Sequence, residues 1–387
     1  MTDGNSLNKP NCVSPIINKS AVKKVKIDKI FLIITLCLVL FGALIFTSAA
    51  LGLLAGSGAK YSDVAVSHIV FGIGLGLIAM VFSSRFDYKH LRKYSFYLYI
   101  SALALTFLVF VPGLNFEHGG AKRWIDIAGV TFQPSEFLKL AFVIYLAAWL
   151  AAMREKVSTV KFGFLPFLIL LATAAAALLP QPDTDTFLII FAAGLGMFLI
   201  AGAKIRHILT LGAICVVLVG ALAFTRPYVM ERIKIFINPA ANPQGSGYQI
   251  RQSLIAIGSG EIFGRGFGQS IQKFDFLPEP IGDSIFAVAA EEFGFVGSVL
   301  LIMLYTAFAV RGFKIASRAP DRFSGLLVTG IVILIISQSF LNISAMLGVL
   351  PLSGLPLLFV SHGGTAMLVT LFAVGIVLNI SKYQRNS

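Results

Sequence analysis

Ten apolar runs of about twenty residues, separated by short polar stretches, constrain this chain more than any other feature. They cover residues 30–54, 64–82, 94–111, 137–153, 162–179, 186–202, 207–224, 284–310, 326–350 and 355–380. Hydrocarbon offers no partner to a backbone N–H or C=O, so a run of this length reads as a helix that crosses a bilayer. Composition excludes a soluble enzyme. Of the 387 residues, 57% are apolar and 13% charged, where a soluble domain carries about 25% charged. The expected fold is an all-α polytopic membrane protein of about ten transmembrane helices, with one long extracytoplasmic loop, residues 225–283, between the seventh and eighth. Pro351, Gly354, Pro356, Gly363 and Gly364 interrupt the end of the chain. The last helix is therefore expected to be broken or preceded by a re-entrant turn.

Charge sets the orientation. The net charge of +13 would elsewhere suggest nucleic acid. Here it follows membrane topology, and no nucleic-acid partner is expected. With the N-terminus in the cytoplasm, 21 of the 31 Lys and Arg residues fall in segments on that side; six of the nine on the other side lie in the 225–283 loop. That asymmetry supports ten spans with both termini cytoplasmic. Residues 1–29 read as a polar cytoplasmic tail expected to be disordered, residues 30–380 as one transmembrane domain, and 381–387 as a short cytoplasmic end. The run at 30–54 is too long for a signal-peptide core and is read as an uncleaved first helix. Cys12, Cys37 and Cys215 form no paired spacing, so neither a disulfide framework nor a zinc site is indicated.

Charges at membrane depth cost about 2.5–3.5 kcal/mol each on insertion scales, so each needs a reason. Glu136 and Lys139 stand at i and i+3 on one helix face, with Pro134 placed for the first turn. They read either as a structural ion pair or as the wall of a polar cavity. Asp183 reads as an N-cap of the sixth helix or as a site residue. Glu291 and Glu292 are expected to face the bundle interior or an interface. Asp283, at the end of the long loop, reads as an N-cap of the eighth helix. A partly desolvated carboxylate at that boundary could equally serve as a base, its pKa raised by burial, with a nearby cation such as Lys273 opposing the shift.

Several motifs share one order along the chain: Gly120-Ala-Lys-Arg-Trp-Ile125, Phe132-Gln-Pro-Ser-Glu136, Glu231-Arg-Ile-Lys-Ile-Phe-Ile-Asn-Pro239, Gly264-Arg-Gly-Phe-Gly-Gln-Ser-Ile-Gln-Lys273, Phe276-Leu-Pro-Glu279, Asp283-Ser-Ile-Phe-Ala287 and Ser361-His-Gly-Gly-Thr365. From about residue 30 to 380 the chain resembles the SEDS family of cell-wall proteins (shape, elongation, division and sporulation), and within it the division member more than the elongation member. The resemblance implies a ten-helix glycosyltransferase that polymerises lipid II into peptidoglycan on the outer face of the bacterial plasma membrane, here for septal wall synthesis. It places the family's acid on Asp283 and its helical acid–base pair on Glu136 and Lys139, and its Gln-Pro-Asp motif reaches Asp183.

The linkage inverts in that reaction, so one displacement and one base suffice. Asp283 would take the proton from the acceptor hydroxyl. Lys273, Arg251, Lys139 and Arg123 are the candidate cations for the departing diphosphate, with Ser361 and His362 in the terminal motif. No cofactor is required, although a divalent cation could share the charge. The implied partners are lipid II, membrane lipids, a single-pass class B penicillin-binding protein transpeptidase and other divisome proteins. Two departures stand out. Relatives carry a polar pair before the acid where this chain has Ile281-Gly282, and an aromatic ring where it has His362. A lipid II transporter and a non-catalytic division scaffold are the rival readings.

Overall fold

The computed structural model describes residues 27–54, 64, 66–113, 115–118, 121–127, 130–239 and 245–384. The tail before residue 27, the loop around Lys60, and Arg385 lie outside the described residues. Asp28 caps α1 (Lys29–Ala50), its carboxylate accepting from the Phe31 N–H at 3.0 Å. A π-helical stretch, Ser67–Gly74, runs into α2 (Leu75–Arg85), and Asp87 caps α3 (Tyr88–Phe107). Then come α4 (Pro134–Met153), α5 (Leu165–Leu178), α6 (Thr184–Ile200) and α7 (Ile205–Thr225). Pro134 opens α4, as the sequence expects, because a first-turn N–H has no helical partner to lose. The chain closes with α10 (Ile285–Ser317), α11 (Arg322–Met346) and α12 (Gly364–Ser381). Among the described residues nine helical stretches are long and apolar enough to cross a membrane, and α6 adds a shorter apolar helix. The all-α polytopic membrane fold is therefore the one observed.

The core lies on α4, α11 and α12, whose apolar stretches are mostly buried, whereas only 17% of the α7 stretch is covered by protein. Small residues set the closest approaches. A Cβ on Gly375 of α12 would collide with Ser83 Oγ and the Met80 carbonyl of α2, and one on Gly42 of α1 with the Phe359 carbonyl. The start of α1 and the end of α12 meet at one end of the bundle. The Asp28 N–H donates to Ser381 Oγ at 3.1 Å, and the Arg311 guanidinium of α10 holds the Asp28 carboxylate at 2.8 Å. Nearby, Tyr88 Oη donates to Asp321 at 2.7 Å, and Lys382 Nζ to the Ser84 carbonyl at 2.6 Å.

Three features differ from the sequence reading, and the last agrees with the expected break before the final helix while moving its start. The long loop is partly helical, with α8 (Pro227–Ile237) and α9 (Ser246–Ser259) inside it. Pro227 opens α8 and Gly245 and Gly260 flank α9, while the Gly- and Pro-rich residues 261–284 form no helix. A small antiparallel sheet follows α3: β1 (Asn115–His118), β2 (Ala121–Ile127) and β3 (Val130–Phe132), with Ile125 opposite both Asn115 and Phe132. Its strands are too short for their alternation to stand out from the apolar runs beside them.

Next, α10 is broken at Gly294, which takes a left-handed φ of 65° that favours glycine. The loop satisfies the groups freed there. Arg265 and Gly266 donate to the Glu291 and Glu292 carbonyls, while Phe295 and Val296 donate to the Glu261 and Ile262 carbonyls. Lastly, residues 347–363 form no helix, so the tenth span begins only at Gly364. Leu355, Leu357 and Val360 in that stretch are buried. Irregular backbone at such depth survives because protein side chains satisfy it. Asn342 Nδ2 donates to the Leu355 carbonyl at 2.8 Å and Gln338 Nε2 to the Pro356 carbonyl at 3.1 Å.

Candidate active site

Asp283 sits where four segments converge, at the end of the bundle away from the chain termini. It does not cap α10. The N-cap position belongs to Ser284, and no side chain caps the helix. The carboxylate is thus not committed to a helix end. Gln249 of α9 donates from Nε2 to Asp283 Oδ1 at 3.1 Å and to Ser284 Oγ at 3.0 Å. Asn342 of α11 donates to the Asp283 carbonyl at 2.7 Å. Ser361 Oγ donates to the Gly282 carbonyl at 2.6 Å and accepts from the Leu357 N–H at 2.8 Å. The His362 N–H donates to the Ile281 carbonyl at 2.8 Å. Residues 281–283 are therefore gripped through their backbone, and the Asp283 side chain stays half-buried.

Desolvation pushes the Asp283 carboxyl up to about 7. The Glu279 charge pushes the same way, while the Gln249 hydrogen bond and the Arg232 charge oppose. A carboxyl in that range is a competent base at neutral pH. Lys273 is not the cation near it.

Lys273 instead lies buried, its Nζ 2.7 Å from Glu292 Oε1, 3.0 Å from Ser48 Oγ and 2.9 Å from the Gly268 carbonyl. Glu291 binds Ser270 Oγ at 2.6 Å and the N–H groups of Ile271 and Gln272. Together the two glutamates fold the 264–273 segment onto α1 and α10. Glu136 and Lys139 form a buried pair at 2.9 Å, and Lys139 also donates to Gln338 Oε1 at 2.5 Å. The space beside them measures about 30 Å³, room for a water molecule rather than a sugar. Gln338 carries that pair to Pro356, and so to the segment that grips Asp283.

Arg123 of β2 donates to the carbonyls of Gln181 and Pro182 and lies 3.7 Å from Asp183 Oδ1. Asp183 occupies the N-cap position of α6 without making a capping bond. Arg251 is exposed on α9. Burial lowers the His362 proton affinity, and Glu279 partly restores it.

Three contributors were not singled out as site residues in the sequence: Gln249 from α9, Asn342 from α11 and Arg232 from α8, which only the fold joins to Asp283. Arg232 pairs with Asp185 at 2.6 Å and lines a cavity of about 190 Å³ between α6, α8 and α11. An apolar groove of about 440 Å³ between α5, α6 and α7 is walled by Leu171, Phe187, Phe191, Leu211 and Leu218.

A membrane-embedded helical bundle that grips one basic carboxylate at its mouth, beside apolar clefts, belongs to the integral membrane proteins built around a lipid–water boundary. Residues 28–386 match the family model of cell cycle proteins that groups FtsW, RodA and SpoVE, and the chain belongs to that family, the SEDS proteins. It is 37% identical over 366 residues to stage V sporulation protein E of Bacillus subtilis, covering 94% of this chain and 99% of that one. It is 39% identical over 307 residues to a probable peptidoglycan glycosyltransferase FtsW of Geobacter metallireducens, covering 79% of this chain and 82% of that one. Among solved structures it resembles a chain of a peptidoglycan synthase complex that coordinates polymerization and crosslinking. The TM-score is 0.76 and the identity 26%, over 93% of this chain and 99% of that one. It also resembles the rod shape determining protein RodA of Thermus thermophilus, with a TM-score of 0.63 and 25% identity over 90% of this chain and 97% of that one. The chain is thus a multi-pass bacterial membrane protein of a peptidoglycan glycosyltransferase family.

Proposed function

We propose that this chain polymerises lipid II into glycan strands by inverting transfer from a lipid diphosphate, in septal wall synthesis. The observation that carries the reading is Asp283, a half-buried carboxyl with its pKa raised to about 7 and its backbone fixed from α11 and the 355–362 segment. In this mechanism Asp283 accepts the proton of the acceptor 4-hydroxyl as that oxygen attacks the donor's anomeric carbon, and the lipid diphosphate departs with the bonding electrons. Lys139 and Lys273 are buried in ion pairs, so exposed Arg251 is the first candidate to meet the diphosphate, with Arg232, partly exposed beside Asp185, and Arg123 behind it. No resident cofactor is called for, and a divalent cation would arrive with the diphosphate as substrate chemistry. The polyprenyl chain would lie in the groove between α5, α6 and α7, and the sugars at the Asp283 end.

The charge asymmetry supports an Asp283 end outside the cell, with both termini in the cytoplasm. The family names and the synthase-complex neighbour support a class B transpeptidase partner and the division role. At the terminal end, Asp28–Arg311, Tyr88–Asp321 and Lys382–Ser84 tie α1, α3, α10 and α11 to their neighbours. A transporter would have to open that end, which favours the polymerase. The test is lipid II polymerisation by the purified chain with its partner, comparing native protein with Asp283→Asn. Polymer from the native chain and none from the variant supports the reading. Equal polymer from both removes Asp283 as base, and no polymer from either removes the reaction.

A further inference from the structure

Residues 261–277 are arranged the opposite way from a loop that faces water. The lysine points inward: Lys273 is 1% exposed and is held by Glu292, Ser48 and the Gly268 carbonyl. Ser270 is buried with it, its hydroxyl on Glu291. The large apolar side chains point outward. Phe263 is 81% exposed, Ile262 59%, Phe267 52% and Ile271 50%. In water a loop solvates its lysine and covers its phenylalanines, because exposed apolar area is unfavourable and a buried charge must be paired. The reverse arrangement is the stable one where the surroundings are hydrocarbon.

The depth of these residues agrees. Ring contacts run from Phe267 to Phe293 of α10, at 6.4 Å, and from Phe293 to Phe41 of α1, at 5.3 Å. At 1.5 Å per residue Phe41 lies about 20 Å along α1 from Asp28, and Ser48, which holds Lys273, about 30 Å. A hydrocarbon slab about 30 Å thick that starts near the Asp28–Arg311 pair therefore includes the level of Phe267 and ends near Lys273. Exposed apolar side chains flank the segment at that level, with Leu40 and Leu44 on α1 and Phe295, Val296 and Leu300 on α10. The Val296 N–H donates to the Ile262 carbonyl at 3.1 Å, so Ile262 and Phe263 extend the apolar flank of α10.

We propose that residues 261–277 are an interfacial anchor seated in the leaflet at the Asp283 end, and that what covers their apolar face is bulk phospholipid. Ile262, Phe263, Phe267 and Ile271 enter the acyl border, while Glu261, Gln269 and Asp275, exposed on the same segment, reach the headgroups. Arg265, its side chain 39% exposed beside Glu291, is the segment's cation for a lipid phosphate. Buried Leu277, whose N–H donates to the Gln272 carbonyl at 2.8 Å, joins the anchor to the turn that carries Asp283. The anchor thereby sets the height of that carboxylate above the lipid, where a lipid-linked sugar would meet it. That consequence rests on the proposed reaction; the anchor does not.

The experiment places one nitroxide at a time on the full chain, carrying Cys12→Ala, Cys37→Ala and Cys215→Ala, in nanodiscs of phosphatidylethanolamine and phosphatidylglycerol. The labelled variants are Phe263→Cys, Phe267→Cys and Ile271→Cys, with Val310→Cys as the lipid-facing reference and Lys89→Cys as the water-facing one. Collision with oxygen, which concentrates in hydrocarbon, is compared with collision with a nickel chelate, which stays in water. The oxygen-to-nickel ratio at 263 and 267 is expected to exceed that at 89 several-fold and to approach that at 310. A ratio like that at 89 overturns the proposal, because the segment then faces water. Low collision with both reagents also overturns it, because protein then covers the segment. The rival occupant is a transpeptidase partner. Adding it should leave the ratios unchanged, and a fall in both collision rates would make this face a protein interface instead. A second readout replaces Phe263 with p-benzoylphenylalanine, which keeps the native ring. Irradiation should give phospholipid adducts by mass spectrometry, and crosslinks to the partner without lipid adducts overturn the proposal. The substituted segment positions are exposed, so no packed side chain is lost, and a native melting midpoint checks each fold. These readouts need no turnover, so they stand or fall separately from Asp283 as the base.

Discussion

Removing Lys273 should cost stability rather than substrate affinity. The Lys273 side chain is fully buried, and Glu292 beside it is 1% exposed. Glu292 Oε1 accepts from Lys273 at 2.7 Å, from Ser48 Oγ at 2.5 Å and from the Ser270 N–H at 3.3 Å. In Lys273→Met the apolar stem is kept and the ammonium lost, leaving a buried carboxylate with only a hydroxyl and one N–H. Breaking one side of a buried ion pair costs about 3–5 kcal/mol, because the surviving charge stays desolvated. Large chains shift less per kcal/mol than small ones, so a midpoint fall on the order of 5–10 °C is expected in thermal unfolding of the detergent-solubilised protein at one scan rate. Adding Glu292→Gln should recover part of that loss, with a coupling of about 0.5–3 kcal/mol in the double-mutant cycle. At a temperature where the variant is folded, its KM for lipid II should match the native value. A Lys273→Met protein that melts with the native chain but shows a much raised KM would refute this reasoning and return Lys273 to the diphosphate.

Other consequences are equally open to measurement. Asp283→Asn should lower kcat by about 10²–10⁴-fold, the usual contribution of a general base, with the melting midpoint close to native. Because the base works ionised and its pKa is raised to about 7, native activity should fall as pH drops below about 7, and a flat profile from pH 5 to 8 would contradict the assignment. Asn342→Ala leaves the carbonyls of Asp283 and Leu355 without their donor and should cost about 1–3 kcal/mol together with a lower kcat. Gly375→Ala forces α12 off α2 and should destabilise by about 1–3 kcal/mol, read as a lower unfolding midpoint with KM unchanged.

What the sequence revealed and what it withheld have physical reasons. Among the described residues, nine long apolar helices and one shorter one were legible because lipid imposes a length and a polarity that a window of residues records directly. Pro134 announced the start of α4 for a similar reason, since its geometry is local. Asp283 could be singled out as a charge at a helix border, but the cap reading does not hold, because Ser284 takes the N-cap position and no side chain caps α10. Lys273 lies ten residues from Asp283 in the chain, yet it is drawn off to Glu292 and Ser48 by a fold of the loop onto α1. Gln249, Asn342 and Arg232 fall within the motifs, but their place beside Asp283 could not be read, because each is an ordinary polar residue until tertiary packing aims it. Ser361 and His362 drew notice as a motif. Their contacts, through a hydroxyl and a backbone N–H to the carbonyls of 281 and 282, show them holding the turn.

The break at Gly294 has a mechanical side. Beyond the break, residues 295–317 measure about 35 Å at 1.5 Å per residue, longer than a hydrocarbon slab of about 30 Å. A helix that long must lean, and its lean answers to the thickness of the surrounding bilayer. Four main-chain bonds splint residues 261–266 across the fracture, so the lower shaft cannot swing without dragging that strap, and the strap runs on toward the carboxylate. Because the splint is made of peptide groups, side-chain changes at 261–263 would leave it intact, whereas a Cβ at Gly264 would collide with the Glu292 carbonyl and force the two halves apart.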